Sequence, residues 1–322
     1  QLRDGDELFD SGIFYSPTSI TADELECLGR YAKAHNLTLF TRDEFADKVF
    51  YQQAYKWRAR IVGFNLPFDI SRIGISHGLA RGKMRGGFTF EISPHKYHPK
   101  LRVKHLSRRA AFTKFTAPWQ SLDNRSDRKN KNKNGYRPGH FVDVKTLAGA
   151  LFAQSFSLAS LSKFLRVENP KLEFDDFDGP VTDQMIEYAV RDTQTTWECY
   201  QALTQRFAAL GLDQTNAEKI YSEASIGKAY IRAMGIKPWQ ECQPDFDPQV
   251  TGNIMATYFG GRSEVRIRRE IRQVILCDFL SMYPTVCTLM GLWRFVTADG
   301  MDWHDSTDAT RQFLDEVDCN SL

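Results

Sequence analysis

The residues best suited to chemistry are four aspartates and a tyrosine. Asp69 closes "NLPFD" (65–69), directly after an apolar run. Asp143 stands in "FVDV", Asp192 follows Tyr188 by four in "YAVRD", and Asp278 ends "QVILCDF". Carboxylate oxygens are the ligands that hard divalent cations require. Positions i and i+4 share a helix face, so Tyr188 and Asp192 point together. Singly, each has an ordinary explanation: a helix start for Asp69, an exposed helical acid for Asp192, a half-buried core ring for Tyr188, a strand end for Asp278.

The elements that must position them follow from local signals. Asp4-Gly5-Asp6 predicts a hairpin between two short strands. Thr21/Glu24 and Thr41/Glu44 are capping-box pairs that open two helices. A strand is predicted from Arg60 to Phe64, then a helix carrying Ile70, Ile73 and Leu79. "GGFTFEIS" and "LRVKHLSRRAAFTKFT" read as further strands, and "HFVDVKT" as another, followed by two helices through Leu165. After the acidic connector "KLEFDDFDGPVT", a long helix is predicted from about Asp183 to Leu210. Strands alternating with helices define an α/β layer fold. Its sheet edge would present Asp69 where such folds bind ligands. Beyond Asp213 the pattern changes to a helix, a proline-containing loop at 238–248, another helix, and the strands "SEVRIRR" and "QVILCDF", with Pro284 setting the turn after them. Two domains are expected, 1–214 and 215–322.

Net charge is only +2, so bulk charge excludes nothing and favours no partner. Its distribution is uneven: residues 96–137 hold thirteen Lys and Arg against Asp123 and Asp127. This basic insertion, with its Lys/Asn-rich loop, is either a solvated surface segment or an arm lying near a polyanion. The six cysteines form no Cys-x-x-Cys pair, which argues against zinc and a disulfide scaffold and fits a reducing compartment. No signal peptide is expected, and no apolar run is long enough to span a membrane.

Asn65-x-x-Phe68-Asp69 after an apolar strand, with Tyr188-x-x-x-Asp192 on a later helix, resembles the second and third motifs of the DEDD-type 3′–5′ exonucleases, in their tyrosine variant. The resemblance implies an RNase H-like fold and phosphodiester hydrolysis with two Mg2+ or Mn2+ ions. It implies that Asp192 binds metal directly, that Asp69 holds a metal-bound water, and that Tyr188 orients the attacking water. Asn65 and Phe68 would meet the 3′-terminal nucleotide. The family's Asp-x-Glu strand has no counterpart here, because "DGDE" is a turn without that spacing. The first strand is therefore expected upstream of Gln1.

"DFLSMYP" (278–284), preceded by "YFGG" (258–261), resembles the first palm motif of family B DNA polymerases and the element that joins exonuclease to palm. By that resemblance Asp278 and the Phe279 carbonyl hold the two catalytic ions. Leu280, Ser281, Met282 and Tyr283 would face the incoming deoxynucleoside triphosphate, with Tyr283 beneath the sugar. Tyr258, Gly260 and Gly261 would contact the template strand. Met282 and Thr285 stand where the family usually has Leu and Ser, and the remaining palm motifs are expected beyond Leu322. The implied fold is an RNase H-like exonuclease domain followed by the N-terminal part of an α+β palm. Primer-template DNA, a single-stranded 3′ end and replication accessory proteins would be partners, with no membrane. The implied location is the cytoplasm and nucleoid of a bacterium, an organelle or an infected cell. A non-catalytic nucleic-acid-binding derivative, and a dedicated exonuclease with a palm remnant, remain alternatives.

Overall fold

The computed structural model describes residues 1–116, 137–257, 265–277, 279 and 281–317. It is a mixed α/β chain with small sheets. No helix among the described residues is long and apolar enough to cross a membrane. The chain forms two compact units, Gln1–Tyr230 and Ile231–Leu322.

In the first unit, β1 (Leu2–Asp4) and β2 (Glu7–Asp10) form the hairpin that Asp4-Gly5-Asp6 signals, with Gly5 at φ +58°. β3 (Gly12–Tyr15), α1 (Ala22–Ala34) and β4 (Thr38–Thr41) form a crossover unit whose strands pair in parallel. Both expected capping boxes are present, at Thr21/Glu24 and Thr41/Glu44. The second opens α2 (Arg42–Glu44), which continues as a π-helical segment, Phe45–Lys56, a rare geometry. That segment buries Ala46, Phe50, Tyr51 and Ala54.

β5 (Arg60–Gly63) leads into α3 (Leu66–Ile73). The helix stops there because Gly74 is extended, so Leu79 lies instead in β6 (Ser76–Leu79), largely exposed. β6 pairs in turn with β7 (Phe88–Glu91), β8 (Leu101–His105) and β9 (Ala111–Phe115), a four-stranded antiparallel sheet. β10 (His140–Asp143) pairs in parallel with β5, placing Asp143 beside Gly63. Helix α4 (Val144–Phe152) starts directly after Asp143, so that residue ends a strand rather than lying within one. α5 (Leu158–Leu165) and α6 (Asp183–Ala208) complete the layer.

Two cores hold these elements. One packs Leu147, Leu161, Cys199 and Leu203 of α4, α5 and α6 beneath Val142. The other joins Phe50 and Tyr51 of the π-helical segment to Leu101, Val103 and Phe115 of the sheet and Phe141 of β10. Phe115, 0% exposed, makes edge contacts with Phe50, Tyr55 and Phe141. The unit extends past the boundary expected at 214, because Ile220 and Ala229 belong to the first core.

The second unit contains α8 (Trp239–Cys242), α9 (Pro248–Ala256), α10 (Met282–Leu289), α11 (Trp293–Thr297) and α12 (Thr307–Glu316), after α7 (Glu223–Ala233), which bridges the division. Among its described residues none is buried. The strands expected over "SEVRIRR" and "QVILCDF" do not form at residues 265–277; Val274, Ile275 and Leu276 are 82%, 88% and 94% exposed. β-propensity alone does not make a strand, since its backbone groups need a ladder partner and its side chains a surface to cover. Pro284 lies in the first turn of α10, where its missing N–H costs nothing, and not in a turn beyond it.

Phe115→Ala should lower unfolding free energy by about 3–5 kcal/mol, as removal of a fully buried ring does. Urea denaturation followed by far-UV circular dichroism measures it; a loss under 1 kcal/mol (about the size of a surface change) would contradict a core joined at this ring.

Candidate functional site

The site is built on the ends of the paired strands β5 and β10. After Gly63 the chain turns through Asn65 in the left-handed region (φ 66°), a conformation Asn adopts more readily than most residues. The Asn65 amide donates to Asp143 Oδ1 at 2.9 Å, fixing this turn against β10. Asp143 also caps α4: the Lys145 amide donates to Oδ1 at 3.1 Å and the Thr146 hydroxyl to Oδ2 at 3.1 Å. Burial raises the pKa of Asp143, and these donors pull against that rise. Its oxygens are thus engaged by the protein, and it acts as a positioning carboxylate.

Pro67 in the first turn of α3 pre-sets the helix that carries Phe68 and Asp69. Asp69 turns its carboxylate toward Gly63, where Oδ2 would lie 3.5 Å from a side chain's first carbon. Asp69 is an exposed residue, yet desolvation of its carboxyl first, then the charges of Asp143 and Asp192, push its pKa up to about 7. Phe68 is 52% exposed, with the Arg72 guanidinium 4.8 Å over its ring.

Tyr188 and Asp192 share one face of α6, and the structure reveals what joins them. Lys171 Nζ donates to both the Tyr188 hydroxyl and Asp192 Oδ2, and lies 4.3 Å from the Tyr188 ring centroid. Burial opposes the charge on Lys171, but these bonds outweigh it and raise its pKa. The connector that bears Lys171 is moored to α6 at Asn169, whose side chain bonds Glu198 and Arg191. Phe174 and Phe177 of the same connector pack on Tyr188 at 5.4 and 5.5 Å. The other oxygen of Asp192, Oδ1, is buried without a hydrogen-bond partner.

Lys171 was not among the residues singled out from sequence, because its partners lie 17 and 21 positions away. The available signal was its solitude: it is the only basic residue between Arg166 and Arg191, in an otherwise acidic connector.

A divalent cation suits this donor chemistry in part. Two carboxylates, Asp69 and Asp192, offer hard oxygens, and the orphaned Asp192 oxygen is an acceptor that a cation would satisfy. Among the described residues, no three His, Cys, Asp or Glu side chains form a group able to hold a metal, so the protein ligands here are an incomplete set.

Of the palm-type residues, Asp278, Leu280, Tyr258, Gly260 and Gly261 lie outside the described residues. Phe279 and Tyr283 are exposed, Ser281 takes the left-handed conformation (φ 55°), and Met282 begins α10. Comparison of the chain with family models, with curated proteins and with solved structures returns no match.

The raised pKa of Asp69 fixes a pH dependence. A carboxyl whose folded pKa exceeds its unfolded value binds protons on folding, so this stabilisation is full below 3.8 and lost as pH rises through about 7. In EDTA, the thermal midpoint should fall across that window, and Asp69→Asn should flatten the fall. Equal slopes for variant and parent would refute a crowded Asp69.

Proposed function

We propose that this chain carries most of the 3′–5′ proofreading exonuclease of a family B DNA polymerase, with an RNase H-like fold, and the beginning of its palm. The observation that carries the reading is that Lys171 binds Tyr188 and Asp192 together, while Asp69, from a motif more than a hundred residues away, feels the charge of Asp192.

The division of labour follows from the geometry. Asp69 and Asp192 would hold magnesium or manganese, which when bound supplies an activated water and charge neutralisation at the leaving 3′ oxygen. Lys171 holds the hydroxyl of Tyr188 and Oδ2 of Asp192 each in one direction, so both groups are pre-oriented. Tyr188 orients the water by its hydroxyl. Exposed Phe68, backed by Arg72, is a platform on which a terminal base can stack, and Asn65 stands at the adjoining turn. Asp143 touches no substrate in this scheme; it holds Asn65 and the start of α4. In the palm portion, Asp278 and the Phe279 carbonyl would serve nucleotide addition, with deoxynucleoside triphosphates and primer-template DNA as substrates.

The test uses the protein in its natural full length, with a labelled single-stranded oligodeoxynucleotide for excision and a primer-template for extension. Asp192→Ala should abolish excision and spare extension; Asp278→Ala should do the reverse. Tyr188→Phe should slow excision by roughly a hundredfold, the low end for a group that manages a proton or water. Equal loss of both activities in both aspartate variants would overturn the two-site reading.

A further inference from the structure

The four-stranded sheet has a second face that the carboxylate site does not use. Leu101, Val103 and Phe115 point into the core, so the alternate residues Arg102, Lys104, Phe112 and Lys114 occupy the other face. The register sets Arg102 directly opposite Lys114, and Lys104 opposite Phe112, with Thr89 beside Arg102 on β7. Like charges directly opposed across strands destabilise a sheet. Among the described residues Lys83, Arg102, Lys104 and Lys114 form no ion pair; Glu91, on the same face two residues beyond Thr89, is taken by Lys100, and Arg109 is paired with Glu223. The Nε of Arg102 is buried and without a hydrogen-bond partner. Burial, then the charges of Arg102 and Lys83, lower the pKa of Lys114.

Positive charge held against repulsion calls for an anion from outside the chain. The arrangement suits a repeating anion better than a single small one. Arg102 and Lys104 lie about 6.7 Å apart along β8, and Lys114 lies about 5 Å across from Arg102. An aromatic element accompanies the cations: Phe112 takes Lys114 over its ring at 5.4 Å and meets Tyr221 at 5.2 Å. Cations tracking a backbone with aromatic rings among them are features of single-strand binding surfaces.

We propose that the face formed by Arg102, Lys104 and Lys114 docks the phosphate backbone of single-stranded nucleic acid. The inference stands on the sheet alone and does not depend on the nuclease reading.

The test is fluorescence anisotropy of a fluorescein-labelled oligothymidylate with the full chain in EDTA, where no metal-dependent cleavage runs, across a series of salt concentrations. Arg102→Gln/Lys104→Gln/Lys114→Gln should weaken binding by about tenfold or more and reduce the slope of log affinity against log salt by about 2, at roughly 0.7 per phosphate contact. Lys33→Gln/Lys163→Gln/Lys228→Gln, which removes equal charge elsewhere, should leave both nearly unchanged. A thermal melt checks that the triple variant folds; its midpoint should not fall, because the substitutions relieve repulsion. Should it not fold, Lys104→Gln alone should lower the slope by about 0.7. An unchanged slope, equal weakening by the control set, or loss of binding to phosphatidylglycerol vesicles with oligonucleotide binding intact would each overturn the proposal. Excision activity is read separately at Asp192, so failure of one proposal leaves the other standing.

Discussion

Asp143 is the interaction on which the site depends. Its carboxylate takes the amide of Asn65 from the turn after β5, the amide of Lys145 at the start of α4, and the hydroxyl of Thr146. Thr146 in turn accepts the Ala111 amide at the start of β9. One half-buried acid therefore ties two parallel strands, two helices and the antiparallel sheet at a single point. Such networks are stiff because each bond polarises the next, and a missing member leaves a buried donor unpaired. The left-handed turn at Asn65 is held by this clamp, and that turn decides where α3 begins and hence where Asp69 stands.

The site assembled there is electrostatically unbalanced. Asp69 feels both Asp143 and Asp192, while Lys171 serves Asp192 and Tyr188. One ammonium cannot neutralise three carboxylates, and the result is visible in Asp69, held to near-neutral titration, and in the unbonded Asp192 oxygen. Strongly perturbed carboxyls next to orphaned acceptors are more common where a ligand completes the charge than in a purely structural network. Lys171 sets the geometry of this half-finished site: removing it would leave Tyr188 without its director and Asp192 without its counter-charge.

What the sequence made legible was local. Thr-x-x-Glu at residues 21 and 41 and Asp-Gly at residues 4–5 act within a few bonds, and each produced the element expected. The strands at 60 and 140 were also readable, since a buried parallel pair is a plain apolar run. The grouping of Asp69 with Tyr188 and Asp192 was expected only through a motif resemblance, because no periodicity links positions so far apart. Lys171 escaped for the same reason. "QVILCDF" misled because its composition answers whether residues would suit a strand, while forming one depends on a partner strand that the described residues do not supply.

The two charged regions of the first unit present one physical problem with opposite signs. At the ends of β5 and β10 the chain gathers carboxylates it does not neutralise; on the outer face of β6–β9 it gathers cations it does not neutralise. The cheapest repair for stability alone would set an acid beside Arg102 and a second base beside Asp69, each a single substitution. Neither is present, although the same chain pairs Lys100 with Glu91 two residues before Arg102. A substrate that is itself a polyanion, accompanied by a divalent cation at its reacting end, would satisfy both regions at once: phosphates along the sheet, and the metal between the carboxylates. On the proposed reading the excess of each sign would be the imprint of one ligand, and the stability forgone would reappear as affinity for it.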